Sequence, residues 1–215
     1  MQRRSFSRSL LAAGAGSLTA GLWSSAAQAQ VGAFKEGTDY VRLGQPVATD
    51  GGVGKIEVLE FFAYSCIHCY NFEPVMAAWM KKLPAHVVVR RTPVAFRPAF
   101  VPMQQLYYTI EAMGLVETLH EKVFHAFHVE KVRIQEASVA AEWIARQGVD
   151  MKKFNELYAS FSVVGKAKRA AQLQELYGVE GTPALGVAGR YYVPGQGPRT
   201  LQVADALVAE MRKGA

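Results

Sequence analysis

Cysteine is scarce in this chain: its 215 residues carry two, Cys66 and Cys69. That excludes a disulfide-stapled scaffold. The one internal bridge available spans two intervening residues, and in the chain-entropy account the benefit of a bridge grows with the loop it closes. Long apolar runs are missing too. The most apolar stretch near the N terminus is interrupted by Gly and Ser and falls short of the roughly 20 apolar residues of a membrane-spanning helix. There is no Lys/Arg tract, so the formal charge of +6 reads as a solvated surface, and no nucleic-acid partner is expected. Internal repeats and low-complexity segments are also lacking. What remains, half apolar and one fifth charged residues, is the balance of a globular protein.

The chain opens MQRRSFSRSLLAAGAGSLTAGLWSSAAQAQ: a basic start, an apolar stretch, then small residues at Ala27 and Ala29. Residues 1–29 are read as an export signal peptide, cleaved after Ala29. Arg3, Arg4 and Phe6 fit a twin-arginine signal as well as an ordinary one, which leaves the route open. Removing the leader takes away Arg3, Arg4 and Arg8 and no acid, so the formal charge falls from +6 to +3. An exported chain reaches an oxidising compartment. A lone C-x-x-C there points to chemistry.

Coarse periodicity places that motif. Lys55 to Ala63, KIEVLEFFA, reads as a buried strand ending just before Cys66. From Cys66 to Leu83 apolar residues recur at spacings of three and four, a helix with Pro74 as its kink. Val87 to Val94 reads as a second strand, so the unit is β-α-β with parallel strands. Residues 103 to about 160 are successive helical patterns broken at Gly114, around Lys131 to Gln135, and at Gly148, with Asp150 as an N-cap. A helix over Ser162 to Tyr177, a hairpin ALGVA/RYYV joined through Gly189, and a last helix capped by Thr200 complete the chain. The expected fold is α/β: residues 30–97 and 163–215 form one domain, and 98–162 an inserted all-helical one.

In this placement Cys66 stands at a helix N-terminus and Cys69 one turn later. Unpaired N–H groups and the helix dipole favour a thiolate at Cys66, and a protonated His68 beside it adds positive charge. Cys66 is then the exposed nucleophile and leaving group, while Cys69 resolves mixed disulfides. Stabilising the thiolate favours the reduced pair, so the disulfide is readily given away. Two alternatives stay open: buried structural thiols, and a zinc or copper site built with His120, His125 or His128. The spacing disfavours the metal site, because the nearest of those histidines lies far beyond a finger pattern; all three read as surface or core-edge residues of an amphipathic helix. In GVEGTPALGV, Pro183 opens a strand, a position where proline is tolerated.

The stretch C-x-x-C-Y-x-F-E with Phe61-Phe62 upstream, the helical insertion and the late Thr182-Pro183 resemble the DsbA family of thiol:disulfide oxidoreductases, within the thioredoxin superfamily. The resemblance implies a thioredoxin-like fold with the inserted helical domain, and a periplasmic enzyme that passes its disulfide to unfolded or reduced secreted proteins. It implies re-oxidation by a DsbB-like, quinone-linked membrane oxidase, a monomer, and no cofactor or metal. Residue by residue, Pro183 corresponds to the family's cis-proline, which with Thr182 and Ile67 meets substrate. Pro74 corresponds to the thioredoxin kink proline. Glu60, Glu73 and Arg91 fall where the family keeps a charged cluster, with Glu60 as proton relay to Cys69; Glu73 and Arg91 also fit a surface reading. Two departures stand out: Ile67-His68 replaces Pro-His, and threonine precedes Pro183 where the best-known member has valine. Reductive isomerisation, cytochrome c maturation, or a metal- or peptide-binding chaperone on the same scaffold are the alternatives. Isomerases of this type add an N-terminal dimerisation domain, for which residues 30–54 are too few.

Overall fold

A computed structural model describes residues 30–213; the expected export signal lies outside the described residues. Three short strands come first, β1 (Gln30–Val31), β2 (Phe34–Lys35) and β3 (Val41–Arg42). Then follow β4 (Ile56–Phe62), α1 (Ile67–Met80) and β5 (Val87–Pro93). The helices α2 (Val101–Ala112), α3 (Val116–His128), α4 (Ala137–Ala145), α5 (Met151–Tyr158) and α6 (Phe161–Leu176) succeed one another without an intervening strand. β6 (Ala184–Val187), β7 (Tyr191–Val193) and α7 (Pro198–Lys213) close the chain.

The sheet is built around β4. IEVLEFF is buried along nearly its whole length, as a strand covered on both faces requires. Its neighbours are β5, parallel, with Ile56 opposite Val87 and Glu60 opposite Arg91, and β6, antiparallel, with Phe61 opposite Ala184. The full order is β3-β7-β6-β4-β5. Because side chains alternate along a strand, β4 sends Val58 into a core shared with Phe72 and Met76 of α1 and Leu207 of α7. Leu59 and Phe61 enter the opposite core, with Leu173 and Tyr177. Phe62 joins a third core made largely by α2 to α6, which also takes in Tyr64 and Cys69. The active-site end of β4 thus plugs directly into the helical block. Among the described residues no helix is long and apolar enough to cross a membrane.

The strand, the helix with Pro74 inside it, the parallel β5, the helices α2 to α6 and the hairpin stand where the sequence pattern puts them. Gly114 and Gly148 take φ of 72° and 75° at helix ends, and Asp150 caps α5 by accepting from the N–H groups of Lys152 and Lys153 at 3.0 and 3.1 Å. Two readings need correction. The last helix starts at Pro198, whose fixed φ suits a first helical turn; Thr200 lies inside it, fully buried, and its hydroxyl accepts from Gln196 N–H at 2.7 Å. The first strand is not at Lys55, because β1 to β3 precede it; two-residue strands are too short to show an alternating pattern.

Gly189 turns the β6–β7 hairpin with φ of +66°, and a Cβ there would fall 2.0 Å from the Val47 carbonyl oxygen. Gly189→Ala therefore combines left-handed strain with overpacking against backbone, and a loss of about 1–3 kcal/mol is expected. Urea denaturation checks it: an unchanged midpoint would contradict this packing.

Candidate active site

Cys66 occupies the boundary between β4 and α1. Its N–H donates to Ala63 O at 2.9 Å, closing a tight turn, and its carbonyl accepts from Tyr70 N–H at 3.1 Å. It is the N-cap of α1 with extended backbone, φ −89° and ψ 115°. The sulfur is half-buried, and the protonated thiol donates to the Thr182 carbonyl at 3.2 Å. Its pKa is lowered to about 5. The largest cause is a hydrogen bond from the Cys69 thiol, helped by the Thr182 side chain and the backbone N–H groups of Cys69 and His68, all against the cost of burial. These are the free N–H groups that every helix N-terminus presents. His68 thus contributes through its main chain; its side chain is exposed.

Cys69 is the opposite case. It is buried, and burial, reinforced by the negative charge at Cys66, pushes its pKa well above that of a free thiol. The two sulfurs, unbridged here, are therefore differentiated into one anion and one proton holder, which is the division of labour that stepwise exchange needs. Across from them the Thr182–Pro183 peptide is cis. His68, Asn71, Phe72, Val75, Pro183 and Tyr192 are among the residues lining a groove of about 860 Å³ that runs beside the thiols. Ile67, which precedes His68 in the chain, is 47% exposed and is not among the residues lining the groove.

Beneath α1 lies a charged cluster. Arg91 of β5 donates through Nε to Glu60 of β4 at 2.9 Å, and through Nη2 to Glu73 of α1. All three side chains are at most 8% exposed, so Glu73 and Arg91 are not surface residues. One guanidinium faces two carboxylates. Burial raises the Glu60 pKa against the pull of Arg91, and raises Glu73 to about 7. Burial first, and then Arg91, lower His120 to about 3, so its ring is neutral and cannot balance the second acid. Its Nε2 stands 3.3 Å from Glu73 Oε2 but is not aligned for a hydrogen bond. Its Nδ1 pairs with the Tyr64 hydroxyl at 2.8 Å. The cluster consequently keeps a proton near neutral pH.

A family model, the DSBA-like thioredoxin domain, matches residues 57–207. The chain belongs to the DsbA family. It is 42% identical over 218 residues to the thiol:disulfide interchange protein DsbA of Bordetella pertussis, covering 99% of this chain and 100% of that one. The crystal structure of Pseudomonas aeruginosa DsbA superimposes with a TM-score of 0.78 at 38% identity, over 82% of this chain and 93% of that one. The oxidoreductase NmDsbA1 from N. meningitidis gives 0.75 at 27% identity, over 84% and 95%. With the thioredoxin-like fold, the chain is a protein thiol:disulfide oxidoreductase.

The structure brings Cys66, Cys69 and Thr182 into contact and sets Pro183 and His68 on the groove, while Glu60 lies below with Arg91 and Glu73. Tyr64 was not anticipated near this site, and two histidines that read as metal ligands or as surface or core-edge residues meet it instead: His120, which is fully buried rather than at a core edge, and His128, whose Nε2 bonds the Tyr64 carbonyl at 2.8 Å. Positions 120, 124 and 128 share one face of α3 by their spacing of four, whereas the exposed His125 leaves it; that spacing was the available signal.

Two outcomes are expected. In the reduced protein, thiolate absorbance should titrate near pH 5; Cys69→Ala should raise that midpoint by a unit or more, and Cys69→Ser, which keeps a donor, by less. An Ala variant that titrates like the parent would remove Cys69 as the chief support of the anion. The folded pKa of Glu73, about 7, lies above its ordinary 4.5, so in that window the folded state holds more protons and stability falls as pH rises through about 7. Glu73→Gln should flatten that slope in denaturant melts taken from pH 4 to 8.

Proposed function

We propose that this DsbA-family enzyme acts in the periplasm as a dithiol oxidase, passing the Cys66–Cys69 disulfide to newly exported proteins. The observation that carries this reading is the Cys66 thiolate, favoured by the Cys69 thiol and the α1 N-terminus. A sulfur more stable as an anion than in a bridge makes the bridge a good electron acceptor. A substrate thiolate attacks Cys66 Sγ; the Cys66–Cys69 bond breaks, and Cys69 leaves as a thiolate that takes up a proton. A second substrate thiolate then attacks the substrate sulfur of the mixed disulfide and expels Cys66 as its stable anion. Two electrons pass to the enzyme, and the substrate leaves with a disulfide.

Glu60 serves as the proton relay for Cys69: it is buried on the face of β4 that looks toward α1, with its pKa raised. Thr182, Pro183 and Ile67 bind an extended substrate segment, and His68 supports the anion. A quinone-linked membrane oxidase of DsbB type restores the disulfide, and the enzyme works as a monomer. Residues 30–97 and 163–215 form the thioredoxin-like unit around the insertion 98–162, after removal of the signal peptide 1–29. Exchange against a glutathione buffer tests the direction. The potential should lie above the roughly −180 mV of a disulfide isomerase, and a value near the roughly −270 mV of thioredoxin would make the protein a reductase. Glu60→Gln should slow protonation of departing Cys69, toward the lower end of the roughly 100-fold or more that a positioned acid or base supplies, as read by stopped-flow quenching.

A further inference from the structure

We propose that His128, the last residue of α3, is a positioning residue for the exchange reaction. By donating its Nε2–H to the Tyr64 carbonyl, it fixes the turn that carries Cys66. The carbonyl of Tyr64 can only accept, and the Nε2 to Tyr64 O distance of 2.8 Å therefore requires the proton on Nε2. Tyr64 is a central residue of the turn closed by Cys66 N–H on Ala63 O. Its hydroxyl is paired with His120 of the same helix at 2.8 Å. One tyrosine, two residues before the reacting sulfur, is thus gripped at both ends by histidines eight positions apart on the inserted helix.

The ring of His128 is itself fixed. It stacks on Tyr70 of α1 at 5.3 Å and 12°, lies against Phe124 at 6.3 Å and meets the edge of Phe127 at 5.0 Å. Tyr70 follows Cys69 directly in sequence, so the same imidazole touches the segments on both sides of the C-x-x-C. The polar groups facing it are the Tyr64 carbonyl, the Cys66 sulfur and the Lys131 ammonium; the first two favour the protonated ring, Lys131 opposes it, and burial, the largest influence, holds it neutral. A neutral ring with a committed donor acts by geometry. It holds the Tyr64–Ser65 peptide so that Cys66 stays over the N–H groups of His68 and Cys69. Among the described residues none outside the helical block supplies this bond, so the insertion takes part in setting the reactivity of the thiol pair.

The inference rests on Cys66 as the working thiolate, and the test separates the two. Thiolate absorbance of the reduced wild type against pH decides the first. The difference between wild type and variants decides the second, wherever the wild-type midpoint falls. His128→Phe keeps a ring on Tyr70 and loses the donor; His128→Gln keeps an N–H donor. The thiolate-to-thiol ratio at the wild-type midpoint should fall at least threefold in the Phe variant, with the glutathione exchange constant moving in the same sense, and the Gln variant should recover at least half of the loss. A Phe variant that titrates with the wild type, or a Gln variant no better than Phe, would overturn the clamp. Long-range proton–nitrogen spectra of the unmodified protein give a reading independent of how the variants fold: His128 should be the Nε2–H tautomer, and an Nδ1–H ring would refute the proposal.

Discussion

The chemistry of this protein depends on keeping a bare negative charge on one sulfur while its neighbour three residues later keeps its proton. Both sulfurs belong to the same turn of α1, and neither difference comes from a distant ion. Cys66 sits where the helix has N–H groups to give, and Cys69 sits one turn in, under apolar cover, where its thiol becomes a donor to the first sulfur. A pKa difference is a free-energy difference, about 1.36 kcal/mol per unit. What lowers Cys66 therefore also weakens the bridge that would consume its anion.

That arrangement sets conditions on the rest of the fold. A helix N-terminus can serve an exposed sulfur only if the strand before it ends in a fixed direction, and β4 is held on both sides, by β5 and by β6. The same strand carries Glu60 into a cluster in which one arginine answers two acids. Breaking a buried pair of this kind by removing one partner typically costs about 3–5 kcal/mol. The cluster is thus structural and titratable at once: it ties β4, β5 and α1 together, and it stores a proton beneath the pair that must gain and lose one. The helical block adds a third restraint, since Phe62, Tyr64 and Cys69 are packed in its core.

Much of this is legible in the amino-acid sequence. The apolar KIEVLEFFA run, the thiols directly after it and the helical spacing to Leu83 fix the strand-turn-helix unit by pattern alone. Thr182-Pro183 ahead of a short hairpin reads by itself as a turn, and only its likeness to a family set it opposite the thiols and suggested the cis bond. The limits were also physical. Helical periodicity says that α3 has an inner face but not what that face meets, so His120 and His128 looked like edge residues, and Tyr64 looked like part of a turn. Glu73 and Arg91 carry charges whose burial follows only from the parallel register of Glu60 with Arg91. Strands β1 to β3 are too short to write any pattern.

The most direct test of the central claim compares the unfolding free energy of the oxidised and reduced proteins in urea at pH 7. An ordinary bridge makes the oxidised form the more stable one. Here the reduced form should be the more stable, because only it carries the stabilised Cys66 anion; an oxidised form that is equally or more resistant to urea would contradict the account.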